Sequence, residues 1–101
     1  MSIVVINAVA VPNERREEFE ARFAARAGHV SKAEGFEAFE LLRPGEGDRY
    51  LVYTRWRARD DFEAWMRSTY FAEGHAQHRQ QGSVSTDSEV WTFDVLQAER
   101  A

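Results

Sequence analysis

The segment that ends at His75 carries the residues best suited to chemistry in this sequence. It runs from Trp65 through Phe71 to an imidazole and combines aromatic rings with small polar side chains. Histidine nitrogens are common metal ligands, and large aromatic rings can shape a cavity for a flat apolar molecule. The segment therefore predicts a pocket for a flat ligand that carries a metal. His78 is a second candidate ligand, although a histidine taken alone is more often a surface residue. The spacing of His75 and His78 is not that of the two-histidine zinc helix.

Asn7 is a polar residue inside the apolar run Val4–Val9. An amide is unfavourable in a strand, and burying it without a partner costs about 1–3 kcal/mol. Two interpretations stay open. The amide is satisfied by a nearby backbone group or a bulge, or it points into a pocket and hydrogen-bonds a polar ligand atom such as metal-bound dioxygen.

Three further side chains are candidates for the same pocket. Trp65 lies at helical spacing from Phe62, which favours a core role, but its bulk could also press on a flat ligand. Arg22 and Arg26 are four residues apart beside Phe23. We expect both arginines to lie on a solvated helix face and to pair with Glu18 or Glu20. If that helix lines a pocket mouth, they could instead hold the carboxylates of an anionic ligand.

Six elements must position these residues, in the order β-α-β-β-α-β. The first half is predicted as a strand Ile3–Val11, a helix from Glu14 to about Val30 with Asn13 as its N-cap, and strands Phe36–Arg43 and Arg49–Arg57. A second helix is predicted to start at Asp60-Asp61, with the apolar face Phe62, Trp65 and Met66, and to continue as helix or helix-loop over Ser68–His78. The last predicted element is a strand Val84–Leu96. This order is the split βαβ pattern, so we predict an α+β, ferredoxin-like domain spanning residues 1–101.

Both faces of the predicted strand Arg49–Arg57 carry large apolar groups. Tyr50 and Trp56 point to one face, and Leu51 and Tyr53 point to the other. Helices can cover only one face of a four-stranded sheet of this kind, so the second face needs another cover. Trp91 and Phe93 of the last strand add to that need. A second copy of the same chain is the simplest cover, which predicts a homodimer with the two sheets face to face.

The composition limits the classes of function. The chain has 101 residues, of which 44% are hydrophobic and 30% charged, with a net charge of −4 and no cysteine. These values are typical of one globular domain and give no basic surface for nucleic acid. Without cysteine there is no thiol nucleophile and no disulfide. No segment reaches the roughly 18 apolar residues of a membrane span, so we expect a cytoplasmic protein that does not insert into membranes.

The chain resembles the antibiotic biosynthesis monooxygenase superfamily and, within it, the IsdG-like haem-degrading monooxygenases. The resemblance covers nearly the whole chain. It rests on Asn7, on Arg22, Phe23 and Arg26, on the segments Gly35-Phe36, Leu41-Leu42-Arg43-Pro44 and Tyr50 to Trp56, and above all on Phe62-x-x-Trp65-x-x-Ser68-x-x-Phe71-x-x-x-His75. It implies a dimeric α+β barrel with one haem pocket per subunit, in which haem is both cofactor and substrate.

The resemblance also implies roles for single residues. His75 would be the proximal iron ligand, Asn7 would hydrogen-bond the oxygen species on the iron, and Trp65 would crowd the porphyrin. Phe23, Phe71, Arg22 and Arg26 would contribute to haem binding. Dioxygen and an external electron donor would complete the reaction, which opens the porphyrin and releases iron. Two alternatives stay open: a cofactor-independent monooxygenase of an aromatic polyketide or quinol, and a non-enzymatic haem-binding dimer.

Overall fold

A computed structural model describes residues 1–25, 28, 30–68 and 87–101. Its strands are β1 (Ile3–Ala10), β2 (Phe36–Leu42), β3 (Arg49–Trp56) and β4 (Asp87–Asp94), its helices are α1 (Arg16–Ala25) and α2 (Arg59–Met66), and two 3-10 helices cover Asn13–Arg15 and Val30–Lys32. The strands form one antiparallel sheet in the order β2-β3-β1-β4. The predicted ferredoxin-like α+β fold is confirmed.

The strand β1 lies at the centre of the sheet because its sequence is rich in β-branched residues that pack well on both sides. It pairs with β3 so that Ile3 lies opposite Trp56 and Asn7 opposite Val52. On its other side it pairs with β4, where Val90 lies opposite Asn7. Since side chains alternate between faces, Asn7 shares its face with Val5 and Val9.

The helices cover that face and form two apolar clusters with it. The first cluster, next to α1, consists of Val9, Val11, Phe19 and Tyr50, with Phe23, Leu41 and Val52 packed against it. The second cluster, next to α2, consists of Ile3, Val5 and Trp56, with Val30, Ala33, Phe36, Phe62 and Trp65 packed against it. Asn7 lies on the sheet between the two clusters.

The opposite face of the sheet carries no described helix. Its apolar side chains include Leu42, Trp91 and Phe93, which are 38%, 38% and 50% exposed. The register places them with Val4, Ile6 and Leu51 on one side of the sheet. The sequence prediction of an apolar second face is therefore confirmed.

The prediction of the first helix is wrong at both ends. Asn13 is not an N-cap: it begins a 3-10 turn that follows Pro12 and has no side-chain cap. The α-helix ends at Ala25, and Val30 lies in a separate 3-10 turn that packs against the second cluster. Gly28 has a φ of 93°, a left-handed conformation that is favoured by glycine and typical of the residues that follow a helix.

The second helix also differs from its prediction. It begins at Arg59, one residue earlier than predicted, and ends at Met66. Met66 is 44% exposed and so does not belong to the apolar face that Phe62 and Trp65 form. The backbone N–H of Ser68 donates to the carbonyl of Trp65 at 2.9 Å, which closes a tight turn after α2. The rest of the stretch Ser68–His78, predicted as helix or helix-loop, lies outside the described residues.

The strands are shorter than predicted by one residue at the ends Val11, Arg43 and Arg57. In the last strand, Val95 and Leu96 lie beyond β4, and the predicted start at residues 84–86 lies outside the described residues. In the part of the chain that the structure describes, no helix is long and apolar enough to span a membrane.

Candidate functional site

Asn7 places a buried polar atom in the middle of the helix-covered face. Its Oδ1 is buried and has no hydrogen-bond partner among the described residues. The sheet register is regular at this position, with Val52 on one side and Val90 on the other. A buried acceptor without a partner costs free energy, so its retention favours a functional role. Rotation of the amide by half a turn exchanges Oδ1 and Nδ2, so the same position can also present a donor.

Trp65 lies on the same helix-covered face as Asn7 and packs against Trp56, whose position is fixed by hydrogen bonds. Its ring centroid lies 5.7 Å from that of Trp56, with the ring planes tilted by 38°. Trp56 is fully buried, and its indole Nε1 donates to Thr54 Oγ1 at 2.9 Å. The Thr54 hydroxyl in turn donates to the carbonyl of Val5 at 3.0 Å. These bonds fix Trp56. The position of Trp65 relative to Trp56 therefore depends on where α2, which carries Trp65, lies.

Phe23 forms the wall at the α1 side. Its ring centroid lies 5.0 Å from that of Phe19 and 6.3 Å from that of Phe39, with which it is stacked at 22°. Phe19 in turn contacts Tyr50 at 4.8 Å. Phe39 is 39% exposed, so Phe23 lies between the core and the protein surface. Aromatic rings packed next to α1 and next to α2 thus lie on either side of Asn7 on the helix-covered face of the sheet.

Arg22 pairs with Glu18, as the sequence predicts. Its Nη2 lies 2.8 Å from Glu18 Oε2, and its side chain is only 14% exposed. Glu18 also accepts from Arg15 at 2.9 Å. The hydrogen bond and charge of Arg15, followed by those of Arg22, hold the pKa of Glu18 below its ordinary value. Arg22 is therefore not a solvated side chain but a guanidinium held against the helix.

A second polar group joins α1 to the sheet, and sequence reasoning missed it. Glu20 accepts two hydrogen bonds from Arg43, at 2.9 and 2.7 Å, and one from the phenol of Tyr50. The Arg43 bonds, followed by the Tyr50 bond, hold the pKa of Glu20 at about 2. Together with Leu41 these residues line a shallow cavity of about 240 Å³. The sequence feature that could have revealed this group is Tyr50, because a buried phenol needs a hydrogen-bond partner.

The structure thus brings Asn7, Trp65 and Phe23 to one side of the sheet. The predicted site residues Arg26, Phe71 and His75, and the second candidate ligand His78, lie outside the described residues. An amide between aromatic walls, with a guanidinium on the adjoining helix, can bind a flat apolar molecule that carries polar or anionic groups. Those features fit a porphyrin and also fit a polycyclic aromatic compound.

Comparison with known proteins narrows these choices. The family model described as antibiotic biosynthesis monooxygenase matches residues 2–77. A mycobilin-producing haem oxygenase of Mycobacterium tuberculosis is 41% identical over 97 residues, which are 95% of this chain and 90% of that protein.

Two solved structures share the fold. A haem degrader of Mycobacterium tuberculosis with two haems bound in its active site has a TM-score of 0.84 and 39% identity, over 97% of this chain and 99% of that one. A cofactor-independent oxygenase of Streptomyces nogalater has a TM-score of 0.77 and 26% identity, over 96% of this chain and 95% of that one.

Proposed function

This chain belongs to the antibiotic biosynthesis monooxygenase family, and from that premise we propose that it is a haem-degrading monooxygenase. The structural observation that carries the proposal is the buried Oδ1 of Asn7, which has no partner among the described residues and lies between two aromatic clusters. The high identity to the mycobacterial haem oxygenase over nearly the full length supports haem as the ligand.

The described residues fit a porphyrin. Bound haem supplies the iron at which dioxygen is activated and the ring carbon that is oxidised. Trp65 and Phe23 would contact the ring and exclude water from it. The amide of Asn7 would form a hydrogen bond, as donor or acceptor, with a polar group of the bound ligand. Arg22, held by Glu18, would place positive charge near the carboxylates of the ligand.

The remaining parts of the site are proposals that rest on the sequence. His75 is our candidate for the iron ligand and His78 the second candidate, with Phe71 and Arg26 as further haem contacts. Dioxygen and an external electron donor are the co-substrates that the reaction requires.

We further propose that the protein is a homodimer. The face of the sheet opposite the helices exposes Leu42 on one edge strand and Trp91 and Phe93 on the other, with the inner strands β3 and β1 between them. Charged pairs flank this apolar surface: Arg49 pairs with Asp87 at 2.9 Å and Arg55 with Glu37 at 3.1 Å. A second copy related by a twofold axis would present the same apolar centre and both signs of charge, so the surface is complementary to itself.

A haemin titration tests the proposed function. The purified protein is titrated with haemin, and ascorbate is then added in air while the Soret band is followed. Saturable binding followed by loss of the band is the expected result. Binding without loss would indicate a haem-binding dimer without this activity, and absence of binding would overturn the proposal.

A pair of histidine variants tests the iron ligand. His75→Ala is expected to change the spectrum of bound haem and abolish loss of the Soret band, whereas the matched His78→Ala leaves both unchanged. The reverse result would assign the ligand to His78.

The similarity to the cofactor-independent oxygenase of Streptomyces nogalater favours one alternative, oxidation of a polycyclic aromatic compound without haem. Oxygen consumption with a polycyclic aromatic quinol by haem-free protein, together with no haemin binding, would favour that alternative.

A further inference from the structure

The helix α2 carries Trp65, but it is too short to hold its own position. It has eight residues, and isolated helices shorter than about 12 residues are marginal in water. The residue before it, Ala58, makes no side-chain cap to its free backbone N–H groups. Its position must therefore come from contacts with the rest of the protein.

Aromatic packing supplies one set of contacts. The rings of Phe62 and Trp65 each lie 5.7 Å from Trp56, measured between centroids. Such packing resists separation of the helix from the sheet. It resists sliding along the ring faces much less, because dispersion contacts are not directional.

A polar contact fixes the start of the helix. Asp61 Oδ1 lies 2.8 Å from Arg57 Nη2, and Asp61 Oδ2 accepts from Arg57 Nε at 3.1 Å, so the pair is bidentate. The Asp61 side chain is 14% exposed, although that of Arg57 is 60% exposed. Bidentate pairing sets both the distance and the angle between the two groups. Asp61 is thus held at one position relative to the end of β3.

A contact with Gly35 also limits the position of Asp61. Gly35 precedes β2 with a φ of 80°, and its carbonyl accepts from the backbone N–H of Arg57 at 2.8 Å. A Cβ atom on Gly35 would overlap Cβ and Cγ of Asp61, so any side chain at this position would force Asp61 to move. The Asp61 carboxyl therefore rests directly on the backbone of Gly35. We call Gly35, Arg57 and Asp61 the α2 clamp.

We propose that the α2 clamp is a positioning device for Trp65. Asp61 and Trp65 are four residues apart, so they lie on one face of α2, one turn from each other. Fixing Asp61 against Gly35 and Arg57 sets the height of Trp65 over Trp56 and so its reach into the pocket. The role in porphyrin contact rests on the proposed function, whereas the geometry of Trp65 does not.

The two indoles provide a readout that needs no haem. Exciton coupling between Trp56 and Trp65 gives a pair of opposite circular dichroism bands in the far ultraviolet, whose size depends on the distance and angle between the rings. Trp56→Phe and Trp65→Phe each remove the couplet and so identify it, while Trp91, on the other face of the sheet, is present in every variant as a constant background. Asp61→Ala is expected to abolish most of the couplet in haem-free protein.

Asp60→Ala is the matched control, since it makes the same change at the neighbouring exposed position of α2 and is expected to keep the couplet. Arg57→Met and Gly35→Ala disturb the clamp from its other two members, and each is expected to reduce the couplet. Arg57 is largely exposed, so its variant keeps the test valid if Asp61→Ala does not fold.

The outcomes separate the clamp from the function. A folded clamp variant with an unchanged couplet and only a lower melting temperature would overturn the proposal, because a merely stabilising contact gives that result. With haem bound, clamp variants are expected to change the ratio of ring-opened isomers, while Asp60→Ala does not change it. Failure of haem binding in the wild type would overturn the proposed function and leave the couplet result as the test of the clamp.

Discussion

The phenol of Tyr50 donates a hydrogen bond to the carboxylate of Glu20, and this bond joins α1 to the sheet. Tyr50 is fully buried, so its hydroxyl could not leave this partner without losing a bond. Arg43 donates two further hydrogen bonds to the same carboxylate. The helix that carries Arg22 and Phe23 is thus held by one acidic group with three donated bonds.

The pH dependence of stability should report on Glu20. Its donors lower its pKa from the ordinary 4.5 to about 2. Because the pKa is lower in the folded state, the carboxylate stabilises the fold above about pH 4.5, and this contribution is lost as the pH falls towards 2. Glu20→Gln is therefore expected to lower the free energy of unfolding at neutral pH, with the difference from wild type shrinking through that range. Urea unfolding at a series of pH values measures it.

Glu17→Gln is the control for that series, because it makes the same change at an exposed position of α1. An equal loss in Glu17→Gln would show that the effect comes from the net charge of the protein and not from the Tyr50–Glu20–Arg43 group. Tyr50→Phe keeps the buried ring and removes one donor, so it should reproduce part of the Glu20→Gln effect.

Asn7 should trade stability against function. Its Oδ1 is buried without a described partner, so Asn7→Val removes an unfavourable burial and adds a residue that favours strands. We expect the free energy of unfolding to rise by about 1 kcal/mol, the lower end of the usual cost of an unsatisfied buried group. We expect haem degradation by the same variant to be lost. Chemical denaturation and the Soret assay measure the two effects.

Thr54→Val is the matched control, since it also replaces a polar residue on the same face of the sheet. Thr54 accepts from Trp56 and donates to Val5, so its removal leaves buried groups unpaired. It should therefore lower stability by about 1–3 kcal/mol. A loss of stability in Asn7→Val as large as that in Thr54→Val would show that Asn7 is satisfied in the folded protein.

The sequence predicts the order of elements and the two faces of the sheet because alternation is a local signal. Tyr50 and Trp56 share one face of the sheet, as predicted, and the structure shows that this is the face that the helices cover. The predicted end of α1 is wrong because the spacing of Phe19, Phe23 and Val30 in the sequence continues a helical pattern beyond the helix. Val30 is apolar for another reason: it packs against the cluster under α2.

The candidate site was predictable only where one residue contrasts with its neighbours. Asn7 stands out in an apolar strand, and the structure places its Oδ1 in a buried position without a described partner. Glu20 looks like any other acid on a charged helix, and its partners Arg43 and Tyr50 are 23 and 30 residues away. The contact of Gly35 with Asp61 likewise joins distant segments, so no local pattern reveals it.

The start of α2 offers a stabilising substitution. Ala58 occupies the N-cap position with an extended backbone, φ −155° and ψ 159°, but makes no side-chain cap. Serine at this position can accept a hydrogen bond from a backbone N–H of the first turn. Ala58→Ser is expected to raise the free energy of unfolding by about 0.5–1 kcal/mol. The control Ala64→Ser, inside the same helix, should lower it slightly, since serine is a weaker helix former than alanine. An equal gain in both variants would rule out capping.

The proposed dimer should be sensitive to a charge placed on the open face of the sheet. Phe93 is 50% exposed in the single chain and lies opposite Val4 on that face. In a face-to-face dimer Phe93→Glu would bury a carboxylate without a partner, which costs several kcal/mol. We expect the dissociation constant to rise at least about a hundredfold, which corresponds to about 3 kcal/mol. Sedimentation velocity over a range of concentrations measures it.

Met66→Glu is the control, since Met66 is 44% exposed on the helix layer and its substitution is expected to leave the dimer intact. A wild-type protein that sediments as a monomer at every concentration, or a dimer that Phe93→Glu does not weaken, would contradict the proposed interface.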